Sequence, residues 1–116
     1  MQFSVGRREL LPKLQMVTSV VERRQTLPIL GNVKLAWGNN TLALTGTDLD
    51  LEVDAKVSID SDAQGAATVP ARKFLDLCKA APEDAQLSFE QQASKFLIRY
   101  GKSRFSLGPL PAEEFP

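Results

Sequence analysis

Arg23 to Asp48 reads RRQTLPILGNVKLAWGNNTLALTGTD, and this stretch decides the fold. Pro28 disfavours helix at Leu27 and pushes the backbone to run extended, so a helix arriving from the N-terminal side must end nearby. Downstream, Val33, Leu35 and Trp37 alternate with Lys34 and Ala36, Gly38-Asn39-Asn40 supplies turn residues, and Leu42 and Leu44 resume the alternation. Two period-two apolar runs around a short Gly/Asn turn spell a β-hairpin. Gly46-Thr47-Asp48 then turns the chain again. The stretch converts a helix into a sheet, with Arg23 and Arg24 at the joint.

Upstream, Leu10, Leu14, Val17 and Val21 follow helical spacing, reinforced by Leu11 and Val20, which predicts an amphipathic helix from Arg7 to about Glu22. Pro12 falls inside it, where proline costs ~3 kcal/mol. The pattern allows a kink there or a helix that starts near Leu11, and the kink is preferred. Gln2 to Val5 is a short strand with Phe3 and Val5 on one face. On the C-terminal side, Leu49, Leu51, Val53, Ala55, Val57 and Ile59 alternate with Asp50, Glu52, Asp54, Lys56 and Ser58. This predicts one long strand with a buried face and a charged face in water.

Asp60 to Gly65 is a polar loop and Ala67 to Val69 a short strand. Pro70-Ala71 opens a second helix, Arg72 to about Ala80, with Phe74, Leu75, Leu77 and Cys78 inward and Pro82-Glu83-Asp84 as its stop. Gln86 to Glu90, Lys95 to Tyr100 and Ser103 to Leu107 are further strands, and the Pro-rich segment 109–116 reads as a linker. Both parts of the chain thus run short strand, helix, three-strand meander, an internal repeat of about 60 residues. The expectation is a single α+β domain over residues 1–116, a duplicated β-α-β-β-β unit with two helices packed on antiparallel sheets.

At 116 residues the chain can bury one real core. Its apolar runs fall far short of the roughly 20 residues a membrane helix needs, and Met1 to Val5 shows no signal-peptide pattern, so the expected location is cytoplasmic. The single cysteine, Cys78, sits among Phe74, Leu75 and Leu77 and reads as core. Net charge is zero, yet charge is unevenly spread. Residues 7–24 hold five basic residues against Glu9 and Glu22, whereas residues 48–62 hold six acidic residues against Lys56. A polyanion could approach one side of such a molecule while the other repels it.

Both helices open on a cationic pair, Arg7-Arg8 and Arg72-Lys73, although a helix N-terminus disfavours cations by ~0.3–1 kcal/mol each. Long solvated side chains can tolerate that placement. Its occurrence twice favours an anion held against the helices, most simply a phosphate backbone, with Lys13, Arg24 and Lys79 extending the surface.

Gly101-Lys102-Ser103 resembles the end of a phosphate-binding loop, but the earlier glycine would fall at Phe96 and no helix follows, so a hairpin turn is expected. The strand after it, with Lys102, Arg104 and Phe105, ends a sheet and could accept another chain. Asp48, Asp50, Glu52 and Asp54 would lie about 7 Å apart along a strand and diverge into water rather than converge on a metal. There is no histidine and no glycine-flanked serine, so no catalytic residue, metal or cofactor is expected.

QTLPILGNV (Gln25 to Val33), LALTGTDLDLEV (Leu42 to Val53), TVPARKFLDLCK (Thr68 to Lys79) and SRFSLGPLPAEEFP (Ser103 to Pro116) together resemble the bacterial DNA polymerase III beta subunit family, the sliding clamps, and specifically the first of its three domains. The resemblance implies the DNA-clamp fold and a non-enzymatic processivity factor. In that family two subunits close a homodimer ring around duplex DNA, with helices lining the hole and sheets outside.

By resemblance, Arg24 and Arg72 match positions that touch the DNA backbone and Lys79 is a basic position on the second pore helix. Arg7, Lys13 and Gln15 lie on the first pore helix. Lys73, Lys102, Arg104, Phe105 and Leu107 match the face toward the third domain of the neighbouring subunit. The order Leu11-Pro12-Lys13 departs from the family's lysine-then-proline order, which bears on the helix bend and the aim of Lys13. Polymerase and clamp loader are expected to bind through domains outside this chain, with residues 109–116 leading to the second domain. Two other readings compete: a protein-interaction module that uses the edge around Arg104 and Phe105 without DNA, and an acid-dependent hydrolase built on Asp48 to Asp54.

Overall fold

The structure, a computed structural model, describes residues 2–21 and 27–116. The first half runs β1 (Gln2–Gly6), α1 (Arg7–Thr18), β2 (Asn32–Gly38), β3 (Thr41–Thr47) and β4 (Glu52–Ser58). The second runs β5 (Gly65–Pro70), α2 (Ala71–Ala80), β6 (Gln86–Gln91), β7 (Phe96–Tyr100) and β8 (Ser103–Leu107). Short 3-10 turns at Pro28–Gly31 and Ala112–Glu114 complete the described chain. The repeated strand-helix-meander order is therefore present, as the sequence pattern implies.

The pairing of the halves is not in that pattern. All strands are antiparallel in two four-stranded sheets, ordered β1-β6-β7-β8 and β4-β3-β2-β5. Each opening strand has crossed over: β1 pairs with β6, Gln2 opposite Glu90, and β5 pairs with β2, Val33 opposite Val69. The exchange makes one inseparable core. Phe3 of β1 lies 5.0 Å from Trp37 of the other sheet and 5.1 Å from Phe89, centroid to centroid. Phe74 of α2 meets Phe89 and Phe96 edge-on at 5.7 and 6.3 Å, arrangements worth about 0.5–1.5 kcal/mol each beyond area burial.

The hairpin at Gly38 closes as a two-residue turn, with Asn39 and Asn40 at φ 53° and 60°, the left-handed values that a turn matching strand twist requires. Helix α1 buries Leu10, Leu14 and Val17, but it ends at Thr18 rather than near Glu22. The Ser19 hydroxyl donates to the Met16 carbonyl at 2.6 Å, competing for the groups that would carry the helix further. Because α1 starts at Arg7, Pro12 lies well inside it, and the alternative start near Leu11 is excluded. Gly46 brings α1 onto β3, since a Cβ there would stand 2.3 Å from the Val17 carbonyl oxygen.

One strand is shorter than the alternation predicts. β4 begins at Glu52, and Leu49 and Leu51 are 60% and 54% exposed instead of buried. The cause is side-chain capture of the backbone. Asp48 Oδ1 accepts the Asp50 and Leu51 N–H groups at 2.9 and 2.7 Å, and Thr47 Oγ1 accepts the Leu49 N–H while donating to the Leu51 carbonyl. A turn locked this way holds Leu49 at φ 82° and ends the period-two face. At the other end of the chain, Leu110 pairs with Thr68 through backbone bonds in both directions, so the first part of the expected linker lies along β5.

Candidate nucleic-acid interface

Arg7 and Arg72 bridge α1 and α2, which pack against each other. At one end, Arg7 in the first turn of α1 donates from Nε to the Cys78 carbonyl at 3.0 Å and from Nη2 to the Lys79 carbonyl at 3.2 Å. At the other end, Arg72 in the first turn of α2 donates from Nη2 to the carbonyl of Val21, just past α1, at 2.7 Å. Each helix therefore starts where the other finishes, and the two are antiparallel. This resolves the unfavourable placement of cations at helix N-termini: each guanidinium sits beside the carbonyl-rich end of its neighbour, where positive charge is favoured.

The residues of the expected DNA surface differ in how far these bonds engage them. Arg7 spends two of its donors on protein carbonyls and is half-buried. Arg72 is half-buried and anchored through one nitrogen. Lys79 is exposed in the last turn of α2. It follows Arg72 by seven residues, two helical turns, so both lie on one line about 10 Å long.

On α1, Lys13 and Gln15 are both exposed, but a two-residue step rotates about 200° around the axis, so they cannot line one stripe. Arg24 lies outside the described residues. Arg8, which the sequence named only as part of a pair, is exposed and belongs to the outward face of α1.

Burial pushes the Cys78 thiol up to about 12, an effect the Arg7 guanidinium partly offsets. Cys78 is 1% exposed, a core residue with a cation at its backbone.

Four of the residues expected at a subunit interface line one groove between α2 and β8. Lys73, Asp76 and Leu77 of the helix and Arg104 to Leu107 of β8 line a groove of about 500 Å³. Phe105 is half-buried and leans on Tyr100, centroids 5.5 Å apart. β8 is an outer strand of its sheet, as its composition suggested. Lys102 stands apart, exposed in the β7–β8 turn beside Gly101 at φ 57°. Leu107 is only 8% exposed and serves the core more than the surface. Asp76 and Leu77 were missed as groove residues, because helical spacing alone assigns Leu77 to the core and Asp76 to solvent.

Two residues of the acidic run are engaged in local hydrogen bonds. Asp48 is committed to its own turn, and Asp54 Oδ1 accepts the Thr45 hydroxyl at 2.7 Å. Among the described residues no group of three or more acidic, cysteine or histidine side chains is placed to hold a metal. No helix among them is long and apolar enough to cross a membrane.

Comparison with known proteins supplies the rest. Residues 1–116 match the family model for the DNA polymerase III beta subunit, N-terminal domain. Over its whole length the chain is 48% identical to the beta sliding clamp of Pseudomonas putida and 50% identical to that of Proteus mirabilis, covering 32% of each. Among solved structures, it superposes on a sliding clamp from Pseudomonas aeruginosa bound to griselimycin with a TM-score of 0.97 at 47% identity. The beta subunit of Caulobacter crescentus gives 0.96 at 37%, and the chain covers 32% and 31% of these two proteins. It therefore spans about a third of the length of its relatives.

Proposed function

This chain belongs to the DNA polymerase III beta subunit family, as its N-terminal domain, and we propose that it forms one sector of a cytoplasmic, non-catalytic sliding clamp that holds the replicative polymerase on duplex DNA. The observation that carries this reading is the antiparallel helix pair, with Arg72 and Lys79 in line on α2 and the acidic strand β4 in a sheet behind α1. Cations that meet phosphates without reading base edges bind every sequence alike and leave the protein free to slide. Arg24, Arg8 and Gln15 extend that surface in this reading, and Lys13 takes its flank.

The groove between α2 and β8 is the contact to a neighbouring subunit in a ring-shaped homodimer. Lys73, Arg104 and Phe105 supply its charge and its anchor, and the free edge of β8 offers backbone pairing. Polymerase and clamp loader engage parts of the relatives' length that this chain does not span.

Fluorescence anisotropy with a random-sequence duplex tests the DNA reading. Binding by the chain alone is expected to be weak, with log K falling linearly as log salt rises and no dependence on base sequence. Affinity that is constant across salt, or that follows one sequence, overturns it. A chain that binds no duplex at low salt but is captured through Phe105 would instead favour the interaction-module reading.

A further inference from the structure

We propose that Arg7 is a positioning residue and not a phosphate ligand: it clasps the last turn of α2 and thereby fixes the backbone that presents Lys79. The DNA part of this inference rests on the reading above, whereas the clasp itself does not. The Arg7 fork reaches two successive carbonyls, of Cys78 and Lys79, and its own backbone N–H donates to Ala85 at 3.0 Å. Those carbonyls belong to the final turn of α2, where no further helical N–H arrives. The Cys78 carbonyl otherwise accepts only a long bond, 3.3 Å, from Ala81.

The two N–H groups that hold these carbonyls are spent on protein, and it is this bidentate hold, rather than the charge, that the inference assigns to Arg7. Arg72 performs the matching task at the far end by holding Val21. Its counterpart is one residue out of step in the repeat: Arg7 opens α1, whereas Arg72 follows Ala71 in α2. The job is therefore shared between the halves although the register is not. Lysine cannot replace a planar fork that spans two acceptors, so charge alone does not rescue the clasp.

The experiment compares Arg7→Lys, Arg7→Gln and Lys79→Gln in this chain, with two readouts. The first is the native-state labelling rate of Cys78, the single cysteine, which reports opening of the α2 terminus. Both Arg7 variants are expected to raise it on the order of ten-fold, as loss of a charge-assisted bond implies, while Lys79→Gln leaves it unchanged. The second is duplex affinity as a function of salt. Lys79→Gln should lower the slope of log K against log salt by about one.

Arg7→Lys and Arg7→Gln should lose affinity together, despite their difference in charge. If Arg7→Lys keeps wild-type labelling and affinity, and only Arg7→Gln lowers the slope by about one, Arg7 is a phosphate ligand and the inference fails. Should Arg7→Gln not fold, Arg7→Lys decides alone, by rescue or by its failure. A wild-type chain that binds no duplex sinks the proposed function, and Cys78 labelling still decides the clasp.

Discussion

β4 and β8 hold the same place in the two halves, each the last strand of a meander and an outer edge of its sheet, yet they are chemical opposites. β4 follows a locked turn and exposes Glu52 and Asp54, with Asp50 just ahead. β8 follows a tight turn at Gly101 and exposes Arg104, with Lys102 just ahead. The acidic charge is concentrated at the start of β4, since Lys56 further along is also exposed, whereas the exposed charge of β8 is of one sign. A near-duplicated plan has thus produced two outer strands that differ in charge.

The contrast between the halves can be broken in three places. The largest effect belongs to Gly46, which lies against the Val17 carbonyl at the end of α1. Gly46→Val is expected to lower stability by about 3 kcal/mol, because the Val17 carbonyl is backbone and cannot step aside. Gly108→Val in the second half meets open space and should stay within about 0.5 kcal/mol. Urea unfolding of both reads the difference, and equal midpoints would remove the close approach as an explanation for the glycine.

An intermediate effect separates the two turns. Asp48→Ala removes an acceptor for two N–H groups and should cost about 1–2 kcal/mol. Gly101→Ala only forces a side chain into the left-handed region, about 1 kcal/mol. Amide exchange at Asp50 and Leu51 should accelerate in Asp48→Ala and not in Gly101→Ala; unchanged exchange would mean that the β4 turn holds without its aspartate.

The smallest effect concerns pH. Hydrogen bonds from the Gln2 and Gln92 amides, with Arg99 nearby, hold the Glu90 carboxyl below the ordinary glutamate value of 4.5. The unfolded chain then binds the proton more readily than the folded one, so this stabilisation is present above that value and is lost as pH falls through the folded-state value. Glu90→Gln should flatten the acid limb of stability against pH. An identical acid limb in the variant would place the proton uptake elsewhere.

Local chemistry made most of the elements legible. The Asn39-Asn40 turn, the buried Leu10/Leu14/Val17 stripe and the hairpin at Gly101 depend on residues close in sequence, and each formed where the pattern put it. The β4 boundary was missed because period-two alternation ran on through Leu49 and Leu51, while the deciding groups, Thr47 and Asp48, act through side-chain bonds that hydropathy does not register. The strand exchange was not legible, since nothing in Gln2–Gly6 specifies a partner at Gln86–Gln91.

Of the candidate interface, the alignment of Arg72 and Lys79 on one face of α2 was legible through spacing alone. The bonds from Arg7 to α2 were not legible, since a cation at one helix start gives no sign that a second helix ends beside it.

The exchanged strands also set the timetable of synthesis. The side chains of Gln2 and Glu90 that meet across the β1–β6 pair are 88 residues apart in sequence, so on a ribosome adding about 5–20 residues per second, β1 and the apolar faces of Phe3 and Val5 stay uncovered for several seconds. Neither sheet can be completed until the later half has emerged, so an interrupted nascent chain would carry an orphan strand with no place to go. The fold thus becomes rigid late, in one step, once β6 to β8 have emerged.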